Sequence, residues 1–480
     1  MPIDLAGLIE ERRADKFALF ERHLNAPLVR VLRTLGFAVD YVRAEGPYLF
    51  DAEGNRYLDL LSSFGVFALG RNHPTVTGAL EQVLRSQLAG LVQLDVSLLA
   101  GLLAERLTGY MPWLEKLFFC NSGAEAVEAA IKFSRAATGR TRIVHCDHAF
   151  HGLTYGALSL CGDQPFRERF GPFVGDCAAV PFDDLPSLER ALAGRDVAAF
   201  VVEPIQGKGV NIPSANYLPE AARLCRAHGT LLVADEIQAG VGRTGRFLAS
   251  EHWGVEPDLV LLAKALSGGF VPVGAVACRR EVFDRVFDRM DRAFVHGSTF
   301  SKSDLAMAAG LATLTVLEDE NLIARGADAG ARLTEGLRQR LAGYDVVKEV
   351  RGKGMMIALE FGPPQGLRLK AAYALMDQAS KGLFCQLILI PLLQRQRILA
   401  QVAGHELPVI KLMPPLVVSE SDLDWIEHGF GEVIGDSQSL GSMLDLGRTL
   451  AAHALRARAG AAQATFHQVD RPPRPLPTAR

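Results

Sequence analysis

Lys264 lies in Val260-Leu-Leu-Ala-Lys-Ala-Leu-Ser-Gly-Gly269, a lone cation closing an apolar run just before a glycine pair. A second apolar run upstream, Gly229-Thr-Leu-Leu-Val-Ala234, ends in Asp235-Glu-Ile-Gln238. A primary amine can form an imine with a carbonyl compound, and a carboxylate can hold a protonated ring nitrogen. Two buried-type strands that each end in a polar residue suit an open α/β sheet, whose ligands sit outside the carboxyl ends of its strands.

Facing one pocket, that amine and that carboxylate point to pyridoxal 5'-phosphate. Its phosphate needs backbone donors. Cys120-Asn-Ser-Gly-Ala124 follows an apolar run and opens the strongly helical Glu125-Ala-Val-Glu-Ala-Ala-Ile-Lys-Phe-Ser134. A helix N-terminus there offers free N–H groups and a positive dipole end to an anion, although Asn121 or Ser122 could equally be a plain helix cap. In His148-Ala-Phe-His-Gly152, Phe150 can cover a ring face or pack in the core.

Two other patterns carry less. His145, Cys146, His148 and His151 are close in sequence, but neighbours on a strand point to opposite faces and no second ligand cluster is apparent, so no metal is expected. Gly240-Val-Gly-Arg-Thr-Gly245 spells a dinucleotide fingerprint. It lacks the long helix and the later strand-end acid of that motif, because only a short helical stretch precedes Pro257.

From about residue 75 to 330, helical periodicity alternates with short apolar runs, among them 116–120, 142–146, 198–203 and 231–234. Such alternation predicts a doubly wound, largely parallel sheet. The expected division is a helical lead-in (1–35), the first part of a small domain (36–80), a large cofactor-binding domain (81–335), the rest of the small domain (336–436) and a tail (437–480). Gly46 to Leu60 reads as a hairpin about Glu53-Gly54-Asn55. In the tail, 451–464 reads as helical and 471–477 as extended and disordered. The active site is expected between the two domains.

At 480 residues and 49% hydrophobic content the chain can bury a large core. A formal charge of −3 gives no polyanion signature, so nucleic acid is not an expected partner. Seven widely spaced cysteines without a CxxC pair suit free thiols in a reducing compartment. Charges at residues 4, 10, 11, 12 and 13 leave no room for a secretory apolar core, and no stretch has the length of a membrane span. The cytoplasm is the expected location.

Taken together, Asn121-Ser-Gly-Ala-Glu-Ala126, Phe150-His-Gly152, Val202-Glu-Pro-Ile-Gln-Gly207, Ala234 to Gly245, Leu262-Ala-Lys-Ala-Leu-Ser-Gly-Gly269 and His296-Gly-Ser-Thr-Phe300 resemble the class III aminotransferases over roughly residues 40 to 430. The resemblance implies the α/β fold type I of pyridoxal-phosphate-dependent transferases, a mostly parallel seven-stranded sheet between helices plus a smaller α+β domain. Lys264 then matches the Schiff-base lysine, which also serves as acid and base. Asp235 matches the carboxylate on the pyridinium nitrogen, Gln238 the partner of the ring hydroxyl and Phe150 the stacking residue, with His151 beside it among the cofactor contacts. Ser122, Gly123 and Ala124 match the phosphate cup. Thr299 matches a residue that reaches the phosphate from a neighbouring subunit, which implies a homodimer with shared sites. Glu203 matches a motif glutamate at the site wall, its role open.

Substrate residues depart from the ornithine-type pattern. Phe64 stands for its tyrosine and Leu153 for its arginine, so two carboxylate contacts become apolar surface. Lys411 stands where the family has the arginine that receives an α-carboxylate, and Lys208 where it has the screening glutamate. Lysine cannot reproduce a bidentate guanidinium fork. These changes favour an apolar substrate body with a terminal amine or aldehyde. The segments 362–370, 384–393 and 401–405 look like a subgroup of lipid-modifying transaminases that includes those proposed to aminate hopanoid side chains. The implied reaction is a ping-pong transfer from a small-molecule amine, glutamate being a candidate donor, to an aldehyde or keto compound. Alternatives are an ornithine, acetylornithine or putrescine transaminase, an aminomutase or decarboxylating relative, a non-catalytic scaffold and a nicotinamide dehydrogenase.

Overall fold

The apolar runs that lead to Asp235 and Lys264 are adjacent parallel strands in the computed structural model, which describes residues 3–162, 164–379, 382–404, 406–438 and 441. The segments 451–464 and 471–477, and His405, lie outside the described residues.

Three short helices open the chain, Leu5–Arg12, Lys16–His23 and Ala26–Leu35. The side chains of Asp4 and Asn25 cap the first and third. Strands β1 (Tyr41–Glu45), β2 (Tyr48–Asp51) and β3 (Arg56–Asp59) follow as an antiparallel meander. The Asp51 carboxylate fixes the β2–β3 turn by accepting from the Asn55 amide at 2.7 Å.

The central sheet has seven strands: β4 (Lys116–Cys120), β5 (Arg142–Cys146), β6 (Cys177–Val180), β7 (Val197–Val202), β8 (Leu231–Asp235), β9 (Leu259–Leu262) and β10 (Gly274–Cys278). Their order is β4-β10-β9-β8-β7-β5-β6, with β10 antiparallel to both neighbours and every other pair parallel. Every residue of β7 is buried, because helices cover both faces. Ala199 and Val201 face the helix Gly123–Thr138, whereas Phe200 and Val202 face Tyr217–His228 on the other side.

A second antiparallel sheet comprises β11 (Val347–Lys353), β12 (Met356–Phe361), β14 (Gln401–Val402) and β15 (Val409–Leu412). The intervening β13 (Ile398–Leu399) pairs with β3, Ile398 against Leu58, and so joins the C-terminal segment to the N-terminal meander.

Gly240 to Gly245 opens no long helix; only the 3-10 turn Ala249–Trp253 follows. The Arg243 side chain is fully buried and donates to the carbonyls of Pro414, of Gly65 at 3.3 Å and of Met355 at 3.4 Å. The Met355 amide returns a bond of 3.0 Å to Arg243 O. A Cβ on Gly354 would stand 2.4 Å from the Thr244 carbonyl carbon, so the loop and the β11–β12 turn touch backbone to backbone. The loop is thus a packed joint, closed to a nucleotide. Burial holds the Arg243 guanidinium down at about 10. Arg243→Ala would leave a cavity and unpaired carbonyls, and is expected to cost about 2–5 kcal/mol in denaturant unfolding. A loss below about 1 kcal/mol would contradict the joint.

Among the described residues all seven cysteines are free and no cluster of three or more His, Cys, Asp or Glu could hold a metal. No described helix is long and apolar enough to cross a membrane.

Candidate active site

Asp235 ends β8, and Lys264 follows β9 after a single alanine, so the parallel register brings both to the carboxyl edge of the sheet. Lys264 has φ +40, a left-handed conformation costly for a residue with a Cβ. It opens the 3-10 turn Lys264–Ser267, where the Ser267 hydroxyl donates to Lys264 O at 3.0 Å. Burial lowers the pKa of Lys264, and the nearby Asp235 and Glu203 charges offset only part of that.

The Asp235 carboxylate is held from two sides. Oδ1 accepts from the Ile237 amide at 3.1 Å, and Oδ2 pairs with His151 Nδ1 at 2.7 Å. Burial alone would depress His151, but the hydrogen bond and charge of Asp235 outweigh it and the pKa is raised. His151 Nε2 is buried with no hydrogen-bond partner.

On the same cavity, Ser122 caps the helix Gly123–Thr138 by accepting from the Glu125 amide at 3.2 Å. The amides of Gly123 and Ala124 have no intrahelical acceptor, by their position in the first turn. Gly123 must be small, since a Cβ there would lie 2.8 Å from Ile237 Cδ1.

Glu203 has a visible structural role. One oxygen accepts from the Phe150 amide at 3.1 Å and the other from the Gly207 amide at 2.9 Å, stitching two loops beneath the cavity. Burial raises its pKa, against the opposing charge of His151. The Lys208 ammonium lies 5.2 Å over the Phe150 ring and 4.4 Å over Phe166, a residue that the sequence does not single out. Gln238 donates from Nε2 to Phe64 O at 3.1 Å and accepts at Oε1 from Lys411 Nζ at 3.0 Å. Lys411 also donates to Gly207 O at 2.7 Å. Burial, then repulsion from Lys264, pushes Lys411 down to about 7.

These residues surround one cavity of about 710 Å³. Lys264, Asp235, His151, Gln238, Phe150, Ser122, Gly123, Ala124, Glu203, Lys208, Lys411, Phe64 and Leu153 all line it. Thr299 does not; it is exposed, beside Ser298, whose hydroxyl accepts from Asn121 Nδ2 at 2.6 Å. Phe64 and Leu153 are 55% and 56% exposed, so their apolar surface is available to a ligand. Ser62, Ser63 and Phe64 are all left-handed, at φ +46, +51 and +60. The Asp59 carboxylate holds that turn by accepting from the Leu61 and Ser62 amides at 3.0 and 2.9 Å. Nothing in the local sequence signals it, since it uses no glycine before Gly65.

A family model described as aminotransferase class-III matches residues 33–434. Aminotransferase PigE of Serratia sp. (strain ATCC 39006) is 32% identical over 464 residues, which cover 90% of this chain and 54% of that protein; the chain spans about half the length of this relative. The ornithine aminotransferase of Toxoplasma gondii ME49 superposes with a TM-score of 0.79 at 29% identity, covering 91% of this chain and 99% of that one. An amine transaminase from an uncultivated Pseudomonas species, solved in its PLP-bound form, gives 0.72 at 30% identity over 83% of this chain and 95% of that one. The sheet, and the strand-end amine and carboxylate that share a cavity with a helix N-terminus, accord with these likenesses: the chain belongs to the class III aminotransferases.

Proposed function

We propose that the chain is a pyridoxal 5'-phosphate-dependent transaminase, carried above all by one observation: the buried amine of Lys264, its pKa lowered by burial, and the His151-braced carboxylate of Asp235 line one cavity. The donor set fits the cofactor. Ser122, Gly123 and Ala124 would hold its phosphate at the helix N-terminus, Asp235 its ring nitrogen, Phe150 its face, and Lys264 would bind it covalently. When bound, the cofactor supplies an electron sink for the bond broken at the amine-bearing carbon.

The rest falls to the protein. A depressed pKa leaves Lys264 a larger share of neutral amine, able to accept a proton at Nζ and return it. The Asp235 carboxyl group lines the cavity, and His151 holds it in one orientation. The donor leaves its amino group on the enzyme before the aldehyde or ketone arrives, so the kinetics are ping-pong.

Thr299 serves a partner's site in a homodimer. Its exposure supports this, together with large apolar residues open to solvent nearby in sequence: Met290 at 95% and Phe294 at 83%.

The substrate has an apolar body ending in an amine or aldehyde, as a lipid-chain or hopanoid aldehyde does. Phe64, Val66, Leu153, Phe166 and Val402 line the cavity, and a carboxylate buried against such a wall would lose several kcal/mol of hydration. A screen of long-chain amines against ornithine, read as the loss of the visible cofactor band in the half-reaction, separates this from an ornithine-type enzyme. Wild type is expected to favour the long-chain amine, and Leu153→Arg to move the ratio toward ornithine by about tenfold or more. Faster reaction of wild type with ornithine would contradict the apolar assignment.

A further inference from the structure

The cavity holds three amines, Lys208, Lys264 and Lys411. Lys411 occupies the position expected of a carboxylate-binding arginine, which would make it the first candidate to receive a donor's carboxylate. Its contacts point elsewhere. The residue is 4% exposed, and Nζ already donates to Gly207 O at 2.7 Å and to Gln238 Oε1 at 3.0 Å. Two acceptors match the two N–H bonds of a neutral amine, so no charge is needed to satisfy them.

Both acceptors belong to parts that shape the site. Gln238, three residues after Asp235, passes the contact on by donating to Phe64 O at 3.1 Å. Gly207 starts the turn through Lys208, Gly209 and Val210, where Gly209 and Val210 are left-handed at φ +76 and +51. That turn is gripped a second time from the same sheet: Arg351 of β11 donates to Gly209 O at 2.7 Å and to Val210 O at 3.0 Å. A Cβ on Gly207 would lie 2.4 Å from Gln238 Oε1, so loop and amide are in direct contact. The result is a continuous line from β15 through Lys411 and Gln238 to the left-handed turn at Phe64. Without displacing these partners, a substrate carboxylate could draw on no more than the third N–H of a protonated Lys411.

We propose that Lys411 is a positioning residue, a two-point tether that fixes Gly207 and Gln238 and through them the Phe64 wall, and not a receptor for a substrate carboxylate. This rests on the transaminase assignment above. The charged groups that face it are Lys264, Glu203 and Lys208; burial first, then Lys264, favours the neutral amine, in keeping with a tether that works uncharged.

The test uses the holoenzyme with hexylamine and its α-carboxylate counterpart, 2-aminoheptanoate. A tether predicts that Lys411→Met lowers kcat for both by the same factor, about 10–100-fold, with the ratio of their KM values unchanged within about threefold. Without substrate, the pH midpoint of the visible band should shift by about half a unit or more, because Gln238 is released. A third readout needs no turnover. The folded pKa of Lys411 is about 7 against an ordinary 10.5, so the unfolded chain binds more protons between these values and this lysine's contribution to stability grows with pH across that window. The melting temperature of wild type minus that of Lys411→Met should therefore rise from pH 7 upward. Should the methionine variant fail to fold, Lys411→Gln, whose amide keeps a donor group on a shorter side chain, is expected to give the same pattern at smaller size. A KM increase of about tenfold or more confined to 2-aminoheptanoate, with the band unmoved, would overturn the tether. Absence of any visible band in wild type would instead overturn the cofactor assignment.

Discussion

Lys264→Ala is expected to lower turnover at least about a thousandfold and to abolish the borohydride-sensitive visible band of the holoenzyme. The size follows from two lost roles. The side chain is the covalent anchor in the proposed site, and it is the group poised to move a proton at the reacting carbon. Neither Lys208 nor Lys411 can take over. The Lys208 ammonium stands over the Phe150 and Phe166 rings, and the Lys411 amine is committed to Gly207 and Gln238. A small exogenous amine should restore part of the proton transfer but not the covalent anchor. Residual turnover within about tenfold of wild type would show that Lys264 carries neither role.

Asp235→Asn is expected to lower kcat/KM by about 10²–10³, a loss typical of removing one preorganised electrostatic partner from a dry site. The amide keeps the shape and can still accept from the Ile237 amide, but it removes the charge that His151 faces. The pH dependence of stability gives an independent signature. The folded pKa of His151 is raised above its ordinary 6.5, so the pair's contribution is complete below 6.5 and is lost as pH rises through the higher folded value. In Asp235→Asn that step should vanish, and the two proteins should differ most in stability at the acid end. An unchanged pH profile of unfolding would mean that His151 does not titrate against this carboxylate.

Much of the site was legible because its signals are local. Asp235 and Lys264 close apolar runs, and Ser122 precedes an alanine-rich helix; each pattern spans only a few residues. The hairpin about Gly54 was equally open to sequence, since its turn chemistry and alternation lie side by side. What escaped is pairing at a distance. His151 and Asp235 are 84 residues apart, and Gln238 and Lys411 are 173 apart, so no window contains both partners. The Ser62–Phe64 turn escaped for a different reason: its left-handed backbone is imposed by Asp59 and Arg243 contacts, not by glycine. Among the strands, Cys177–Val180 and Gly274–Cys278 are short and alanine-containing, with little apolar contrast to mark them. The antiparallel sense of β10 has no local signature, because register and direction follow from its two neighbours. The dinucleotide-like glycines mislead for the opposite reason. Their spacing is local, whereas their use, packing against Gly354 and placing Arg243, is tertiary.

Borohydride reduction of the holoenzyme followed by peptide mass mapping tests directly which amine holds the cofactor. With three amines lining one cavity, the chemistry must choose among them. Attachment at Lys264 predicts a phosphopyridoxyl group on the peptide that carries this lysine, and on no other. The same group on the peptide of Lys208 or Lys411, or no adduct at all, would contradict it.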